Sequence, residues 1–146
     1  MARARIDDKG RIKLAADYLH YFDALPERKV FVTSTDRVVA EIYPMTSWRK
    51  MEEFYAKNEK LPSVRRAAFN AARFGAECEV DSQGRVNVNS ELKKELGLEG
   101  QELHVFVHNR NRIRIMTEAA FNAQTLDAET ADAKADEEEQ IAAGRP

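Results

Sequence analysis

The sequence predicts an α+β fold, mainly β with helices, that contains two tandem copies of one β-rich module. A short motif occurs twice, apolar and polar residues alternate around each copy, and helical apolar spacing lies between them. The motif occupies 6–14 and again 80–88, with Asp, Gly and Arg at matching places. Two copies with matching flanks indicate a duplication, which assigns the modules to about 3–48 and 76–121.

Each module is predicted to consist mainly of strands. Apolar residues share one parity around each motif and charged residues share the other, which is typical of a half-buried hairpin. Gly10 and Gly84 fit the turn position that needs positive φ, and the carboxylates of Asp7 and Asp81 can accept hydrogen bonds from turn N–H groups. Further elements are strands at 29–33, 38–43, 102–107 and 112–116, and short helices at about 16–24 and 90–96.

A helical linker, 49–75, separates the modules. Trp48, Met51 and Tyr55 have i, i+3, i+7 spacing, and a second apolar stripe begins after Pro62. Trp48 and Phe121 occupy equivalent repeat positions, and we predict that both are core residues. The acidic tail, 122–146, has almost no large apolar residues and is expected to be a marginal helix or a flexible, disordered segment.

Charge is distributed unevenly along the chain. The formal net charge is -2, but residues 1–74 carry 15 Lys and Arg against 10 Asp and Glu, whereas residues 125–146 carry 2 against 7. A basic first half fits an anionic partner, and the tail offsets it in the sum. Cys78 is the single cysteine, and no signal peptide or long apolar run is visible, so we expect a cytoplasmic protein without a membrane segment.

Cations crowd the outward face of the first motif and are balanced there only by Asp7 and Asp8. They are Arg3, Arg5, Lys9, Arg11 and Lys13. The Asp–Arg pairs of the two motifs either serve only to make the hairpins rigid, or they belong to a β-ribbon that enters the DNA major groove, with Arg on guanine and Lys on phosphates. Glu77 and Glu79 of the second copy would repel phosphate. The first module is therefore the favoured DNA contact, with Arg85 in a secondary or structural role.

Catalytic and metal chemistry find little support. His104 and His108 have the spacing of a helical zinc pair but lie on a predicted strand, and Cys78 shares the apolar parity of the core. No Ser–His–acid arrangement or phosphate-binding Gly-rich loop is visible. We therefore expect no enzyme, metal, cofactor or small-molecule substrate. Arginines alternate along the last predicted strand at Arg110, Arg112 and Arg114. Two interpretations stay open for them: they form a solvated face, or they contact phosphate or another subunit.

Several segments resemble the MraZ family of bacterial transcription regulators. Residues 7–11 and 81–85 look like its paired Asp-x-x-Gly-Arg motifs, and residues 43–48 look like its Tyr-Pro-x-x-x-Trp segment. Residues 64–81 resemble the segment that leads to the second motif. The resemblance covers about residues 4–122.

The resemblance implies two SpoVT/AbrB-like modules that form an intrachain, pseudo-dimeric, swapped-hairpin β-barrel, with subunits assembled into a homo-oligomeric ring. It implies a nucleoid-associated regulator that binds double-stranded DNA at repeated short sites near division and cell-wall genes. By position, the motif acids, glycines and arginines are Asp7, Asp81, Gly10, Gly84, Arg11 and Arg85. The family usually has a proline soon after each motif strand, and Ala15 and Asn89 stand near those positions here. The alternative is an interaction or scaffold protein whose basic hairpin binds a protein partner.

Overall fold

The structure, a computed structural model, describes residues 1–23, 28–127 and 131–146, with only the backbone at 21–23, 127 and 131–134. In these ranges the chain is mixed α+β, as predicted, with eight strands and six helices. The strands are β1 (Ala2–Ala4), β2 (Arg11–Lys13), β3 (Lys29–Thr33), β4 (Ala40–Pro44), β5 (Ala76–Glu79), β6 (Arg85–Asn87), β7 (Leu103–His108) and β8 (Arg112–Met116). The helices are α1 (Ala16–Asp23), α2 (Met45–Lys57), α3 (Pro62–Phe74), α4 (Ser90–Leu96), α5 (Glu118–Asp127) and α6 (Ala131–Ala142). The predicted last residue of α1, residue 24, lies outside the described ranges.

The two modules are interleaved rather than placed side by side. Six antiparallel strands form one sheet in the order β1-β7-β8-β4-β3-β5, and β2 pairs with β6 in a separate two-stranded ribbon. Replacing each strand by its repeat counterpart leaves this order unchanged, so the chain has internal pseudo-twofold symmetry. Among the described strands, hydrogen bonding does not close a single barrel, and the swapped-hairpin barrel stays a prediction.

The arms of each motif do not pair with each other along their length. In the first motif a single bridge joins Ile6 to Ile12, and the N–H of Asp7 donates to the carbonyl of Arg11 at 2.8 Å. Beyond this tip, β1 pairs with β7 and β2 pairs with β6, both from the other module. The hairpin expected from the alternation is thus confined to its turn, because alternation identifies the buried face of a strand but not the strand that pairs with it.

One apolar core takes residues from both modules. Ile12 and Val86 are opposite each other on the inner side of the β2/β6 ribbon, and both have no exposed surface. Ile42 and Ile113 are opposite each other on β4 and β8 at the centre of the large sheet and are also buried. Because both modules contribute to one core, and modules this small rarely enclose enough apolar surface alone, the two halves depend on each other for burial.

A second apolar cluster holds α2 and α3 against the sheet. Trp48 is 6% exposed, which confirms its predicted place in the core, and its indole stacks on Phe31 with centroids 4.4 Å apart. Phe121 is only partly buried and stacks instead on His104 at 4.1 Å.

The helical region begins at Met45, inside the range that the sequence assigns to the first module. None of the described helices has the length and apolarity needed to cross a membrane.

Asn89, which stands near a place where the resemblance predicts a proline, has a local structural role. Its side-chain oxygen accepts a hydrogen bond from the N–H of Leu92 at 2.8 Å and caps the N-terminus of α4. Its amide nitrogen donates to the carbonyl of Phe74 at 2.8 Å, which ties this cap to the end of α3. A proline here would lack both bonds.

The acidic tail is helical at 122–127 and 131–142, and its last residues contact the folded core. Residues 128–130 lie outside the described ranges, and α6 follows them. The hydroxyl of Ser63 on α3 donates to Glu139 at 3.4 Å, and Arg112 on β8 donates to the carbonyl of Pro146 at 2.8 Å.

Arg112 is buried, so the solvated-face interpretation is wrong for this residue. Its side chain is 4% exposed, donates to the Tyr43 hydroxyl at 2.9 Å and lies 3.7 Å from the carboxylate of Glu41. Glu41 also pairs with Arg114 at 3.7 Å. The burial follows from position, because β8 lies at the centre of the sheet and the C-terminal segment ending at Pro146 packs on this face.

The substitution Gly84→Ala is expected to destabilise the fold more than Gly97→Ala. Both glycines have positive φ, 77° and 63°, where an alanine costs about 1–2 kcal/mol. A Cβ on Gly84 would also lie 2.6 Å from the Leu19 side chain, whereas a Cβ on Gly97 meets nothing within 4 Å. Urea unfolding of both variants measures the difference, and equal losses would show that the contact with Leu19 has no energetic weight.

Candidate nucleic-acid interface

The β2/β6 ribbon brings the two motif arginines to one outward surface. In the register of the ribbon, Arg11 is opposite Asn87 and Lys13 is opposite Arg85, while Ile12 and Val86 point to the core between them. Residues of one parity in a strand share a face, so four polar side chains form this surface. We call it the ribbon face: Arg11, Lys13, Arg85 and Asn87.

Each motif turn is shaped by its aspartate. One carboxylate oxygen of Asp7 accepts hydrogen bonds from the backbone N–H groups of Lys9 and Arg11, both at 2.9 Å. Asp81 accepts the equivalent bonds from Gln83 and Arg85, also at 2.9 Å. The glycines of the two turns have φ of 79° and 77°, values that favour glycine. The two turns therefore have the same geometry.

The two turns also hold each other. The carbonyl of Gly10 accepts a hydrogen bond from the N–H of Val88 at 2.9 Å, and the carbonyl of Gly84 accepts one from Leu14 at 2.9 Å. Each turn is thus fixed by the residue that follows the opposite ribbon strand. This reciprocal bonding places the start of both arginine side chains on a rigid backbone.

Both motif arginines form ion pairs with the aspartate of their own turn, but the pairs differ. The Nε of Arg85 donates to Asp81 at 2.8 Å, whereas the Nε of Arg11 lies 3.4 Å from Asp7 and makes no hydrogen bond with the described residues. Each arginine side chain is 26% exposed. Both Asp–Arg pairs are therefore present in the fold, and the Nε of Arg11 is held less tightly than that of Arg85.

The aspartates stay ionised in this environment. The backbone N–H of Arg85 is the main cause that lowers the pKa of Asp81, from its usual 3.8 to about 2, and the backbone N–H of Arg11 lowers the pKa of Asp7 in the same way. Hydrogen bonds to the charged form favour that form.

Three of the predicted cations line one cleft beside the ribbon. Arg3, Arg5 and Lys13 surround a volume of about 510 Å³, together with Tyr18 and Val105. We call this the basic flank. Arg5 and Lys13 are exposed, and Lys9 is exposed at the tip of the turn. The structure therefore brings cations from β1 and β2 to one side of the ribbon face.

A carboxylate of the same chain, that of Glu118, contacts the basic flank. Arg3 donates to the carboxylate of Glu118 at 3.1 Å, and the same carboxylate accepts a hydrogen bond from the Nε2 of His104. His104 is buried on the parity opposite Leu103, because α5 packs over that face of β7. Sequence reasoning missed Glu118, since nothing in the spacing relates residue 118 to residue 3.

On the opposite side of the ribbon, carboxylates take the place of two cations of the basic flank, and Lys29 lies opposite one of them, Glu79. The repeat counterparts of Arg3, Arg5 and Lys13 are Glu77, Glu79 and Asn87, and all three are exposed. We call Glu77 and Glu79 the acidic flank. The alternation of the second motif places Asn87 on its outward face, but its position opposite Arg11 depends on strand pairing.

Two of the three histidines, His104 and His108, lie partly or fully buried on β7. The described residues contain no group of three His, Cys, Asp or Glu that could hold a metal ion. Burial is the largest cause that lowers the pKa of His108 to about 4, and the nearby arginines Arg114 and Arg112 lower it further. His104 is engaged by Glu118 and stacks on Phe121.

Two curated proteins are similar to most of the chain. The chain is 32% identical over 124 residues to the transcriptional regulator MraZ of Koribacter versatilis. This match covers 80% of this chain and 84% of that protein. It is 35% identical over 97 residues to the transcriptional regulator MraZ of Acidobacterium capsulatum, with 66% of each chain covered. The chain belongs to the MraZ family. No family model matches the chain. Both MraZ relatives carry the name of a transcriptional regulator, not of an enzyme.

The Tyr-Pro-x-x-x-Trp segment that resembles the MraZ pattern joins the sheet to α2. Tyr43 is fully buried, and its ring centroid lies 5.1 Å from that of Trp48. Its hydroxyl donates to Glu41 at 3.1 Å. In this chain the segment is therefore part of the core, whereas the Asp-x-x-Gly-Arg turns leave their arginine side chains partly exposed.

The variant Asp81→Asn is expected to be less stable than the native chain at neutral pH, and the difference should narrow in acid. A carboxylate whose folded pKa is lowered stabilises the fold above its unfolded pKa of 3.8, and this stabilisation is lost as pH falls through about 2. Urea unfolding at steps from pH 7 to pH 2 measures it. Asp8→Asn is the control, because Asp8 is an exposed aspartate of the first motif turn that accepts no hydrogen bond among the described residues. A difference for Asp81→Asn that does not change with pH would contradict this account.

Proposed function

We propose that this MraZ-family chain is a sequence-specific DNA-binding transcriptional regulator, and that its ribbon face enters the major groove of duplex DNA. One observation carries the proposal, the presence of Arg11 and Arg85 on the outward face of a two-stranded ribbon whose inner face is buried. The major groove admits a two-stranded β-ribbon, and an arginine there can bond the O6 and N7 of guanine together.

The surrounding charges support binding to phosphate. Arg3, Arg5 and Lys13 form the basic flank, and Lys9 adds an exposed cation at the tip of the first turn. Such groups set the position of a protein on DNA without reading its sequence, and they make affinity depend on salt. In this proposal the basic flank lies along one DNA backbone while the ribbon face reads bases.

We assign the principal base contact to Arg11 and a secondary one to Arg85. Arg85 donates to its own aspartate at 2.8 Å and would have to exchange that bond for DNA. The Nε of Arg11 makes no hydrogen bond in the described structure, so its guanidinium has less to lose. The basic flank also adjoins the first motif, whereas Glu77 and Glu79 adjoin the second.

A single ribbon offers a small contact, so we propose that several subunits act together. A homo-oligomer, in the form of a ring, would bring several ribbons to adjacent short repeats, and linkage multiplies weak contacts. The proposed setting is the cytoplasm, on nucleoid DNA near division and cell-wall genes, without catalysis and without a membrane. A scaffold that binds a protein partner is the alternative, and it predicts no salt-sensitive binding to DNA.

Removing the principal arginine is expected to weaken DNA binding more than removing its counterpart. Arg11→Ala should cost on the order of 1–3 kcal/mol per contact on a cognate site and relax the preference for guanine, and Arg85→Ala should cost less. Gel-shift titration against DNA upstream of the host division cluster measures both. An equal or larger loss for Arg85→Ala would refute the assignment of unequal roles.

Removing a cation of the basic flank is expected to weaken binding to all sequences alike. The plot of log affinity against log salt has a negative slope. Arg5→Ala and Lys13→Ala should each make this slope less steep, by about 1. Lys50→Ala is the matched control, because it removes an exposed positive charge from α2 and not from the flank. If Lys50→Ala makes the slope less steep by as much, the effect belongs to net charge and not to the flank.

A further inference from the structure

We propose that Asn87 is a specificity-determining residue that reads an adenine at, or one base pair from, the guanine contacted by Arg11. This inference rests on the proposed function and adds a base contact to it. Asn87 lies on β6 with its side chain exposed, and the described structure contains no hydrogen bond from that side chain to the rest of the fold. Its backbone N–H is engaged separately, by the Sγ of Cys78 at 3.2 Å.

The register of the ribbon places Asn87 next to a base-reading residue. Asn87 is directly opposite Arg11, and such pairs in antiparallel strands have Cβ atoms about 4.5–5.5 Å apart. Successive bases of one DNA strand rise by about 3.4 Å. Two side chains at this separation therefore reach the same base pair or neighbouring ones.

The pseudo-twofold symmetry of the ribbon isolates Asn87 as the exception. The symmetry exchanges Arg11 with Arg85 and Lys13 with Asn87. The arginine positions are thus identical in the two halves, while the second pair of positions has a cation in one half and a neutral amide in the other. The two halves of the ribbon can therefore differ in reading DNA at Lys13 and Asn87, in addition to the flanks, the turn residues Lys9 and Gln83, and the tighter ion pair of Arg85.

The charge on each side of the ribbon argues against phosphate as the partner of Asn87. Its strand adjoins the acidic flank of Glu77 and Glu79, which repels a DNA backbone, whereas Lys13 lines the basic flank. A neutral amide also contributes nothing to counterion release. The base edge is the remaining DNA group, and an asparagine amide bonds the N6 and N7 of adenine in a bidentate manner.

In vitro selection from a random duplex library, performed with the full chain, tests the inference. The native chain is expected to select a site with guanine and, at the same or a neighbouring base pair, adenine. Asn87→Ala should lose the adenine preference and keep the guanine preference, and Asn87→Gln should retain both, because glutamine can also bond adenine in a bidentate manner. Asn122→Ala is the matched control, since Asn122 is an exposed asparagine on α5.

Fluorescence anisotropy on the selected site gives the magnitude. Replacing the adenine should weaken binding by the native chain on the order of 5- to 150-fold, and binding by Asn87→Ala by less than about twofold. Circular dichroism of each variant checks that the fold is intact. If Asn87→Ala selects the same site as the native chain, or loses a base other than adenine, the inference is wrong while DNA binding stands. If the native chain selects no site and binds no duplex, both this inference and the proposed function fail.

Discussion

The pairing of β2 with β6 is the interaction on which the rest of this structure depends. These two strands come from different modules, and the residues after each strand donate hydrogen bonds to the glycine carbonyl of the opposite turn. Because Ile12 and Val86 lie on the inner side of this pair with no exposed surface, the ribbon also closes one end of the shared core. Its outer side is consequently the only side available for polar chemistry, and that is where both motif arginines lie.

This constraint relates the aspartates to the arginines in a specific way. Asp7 and Asp81 use one oxygen to shape the turn and the other to pair with the arginine that follows. A turn that is stable therefore also points its arginine along the ribbon. Structural and functional interpretations of the Asp-x-x-Gly-Arg motif are compatible, because the same carboxylate rigidifies the hairpin tip and orients a side chain that stays partly exposed.

The ribbon combines matching core and turn positions with flanks of unlike charge. Core and turn positions have the same type of residue in both copies, as Ile12 and Val86 or Gly10 and Gly84 show. Ile12 and Val86 are opposite each other in the ribbon, and both glycines have positive φ, so each copy needs that residue type. The flanks are free of this requirement, and there cations in one copy correspond to carboxylates in the other. An exposed position can change charge without loss of packing, so a symmetric scaffold can support an asymmetric binding surface.

The sequence by itself determined the α+β class, most strand and helix positions, the buried parity of each motif and the glycine turns, since all of these follow from local periodicity and backbone preference. It also indicated the family through short motifs, and the relatives show that family. Tertiary structure alone decided that β2 pairs with β6, that Arg112 is buried beside Glu41, and that Glu118 contacts Arg3. These features join residues far apart in the chain, and a periodic pattern carries no information about which distant strand or charge will meet it.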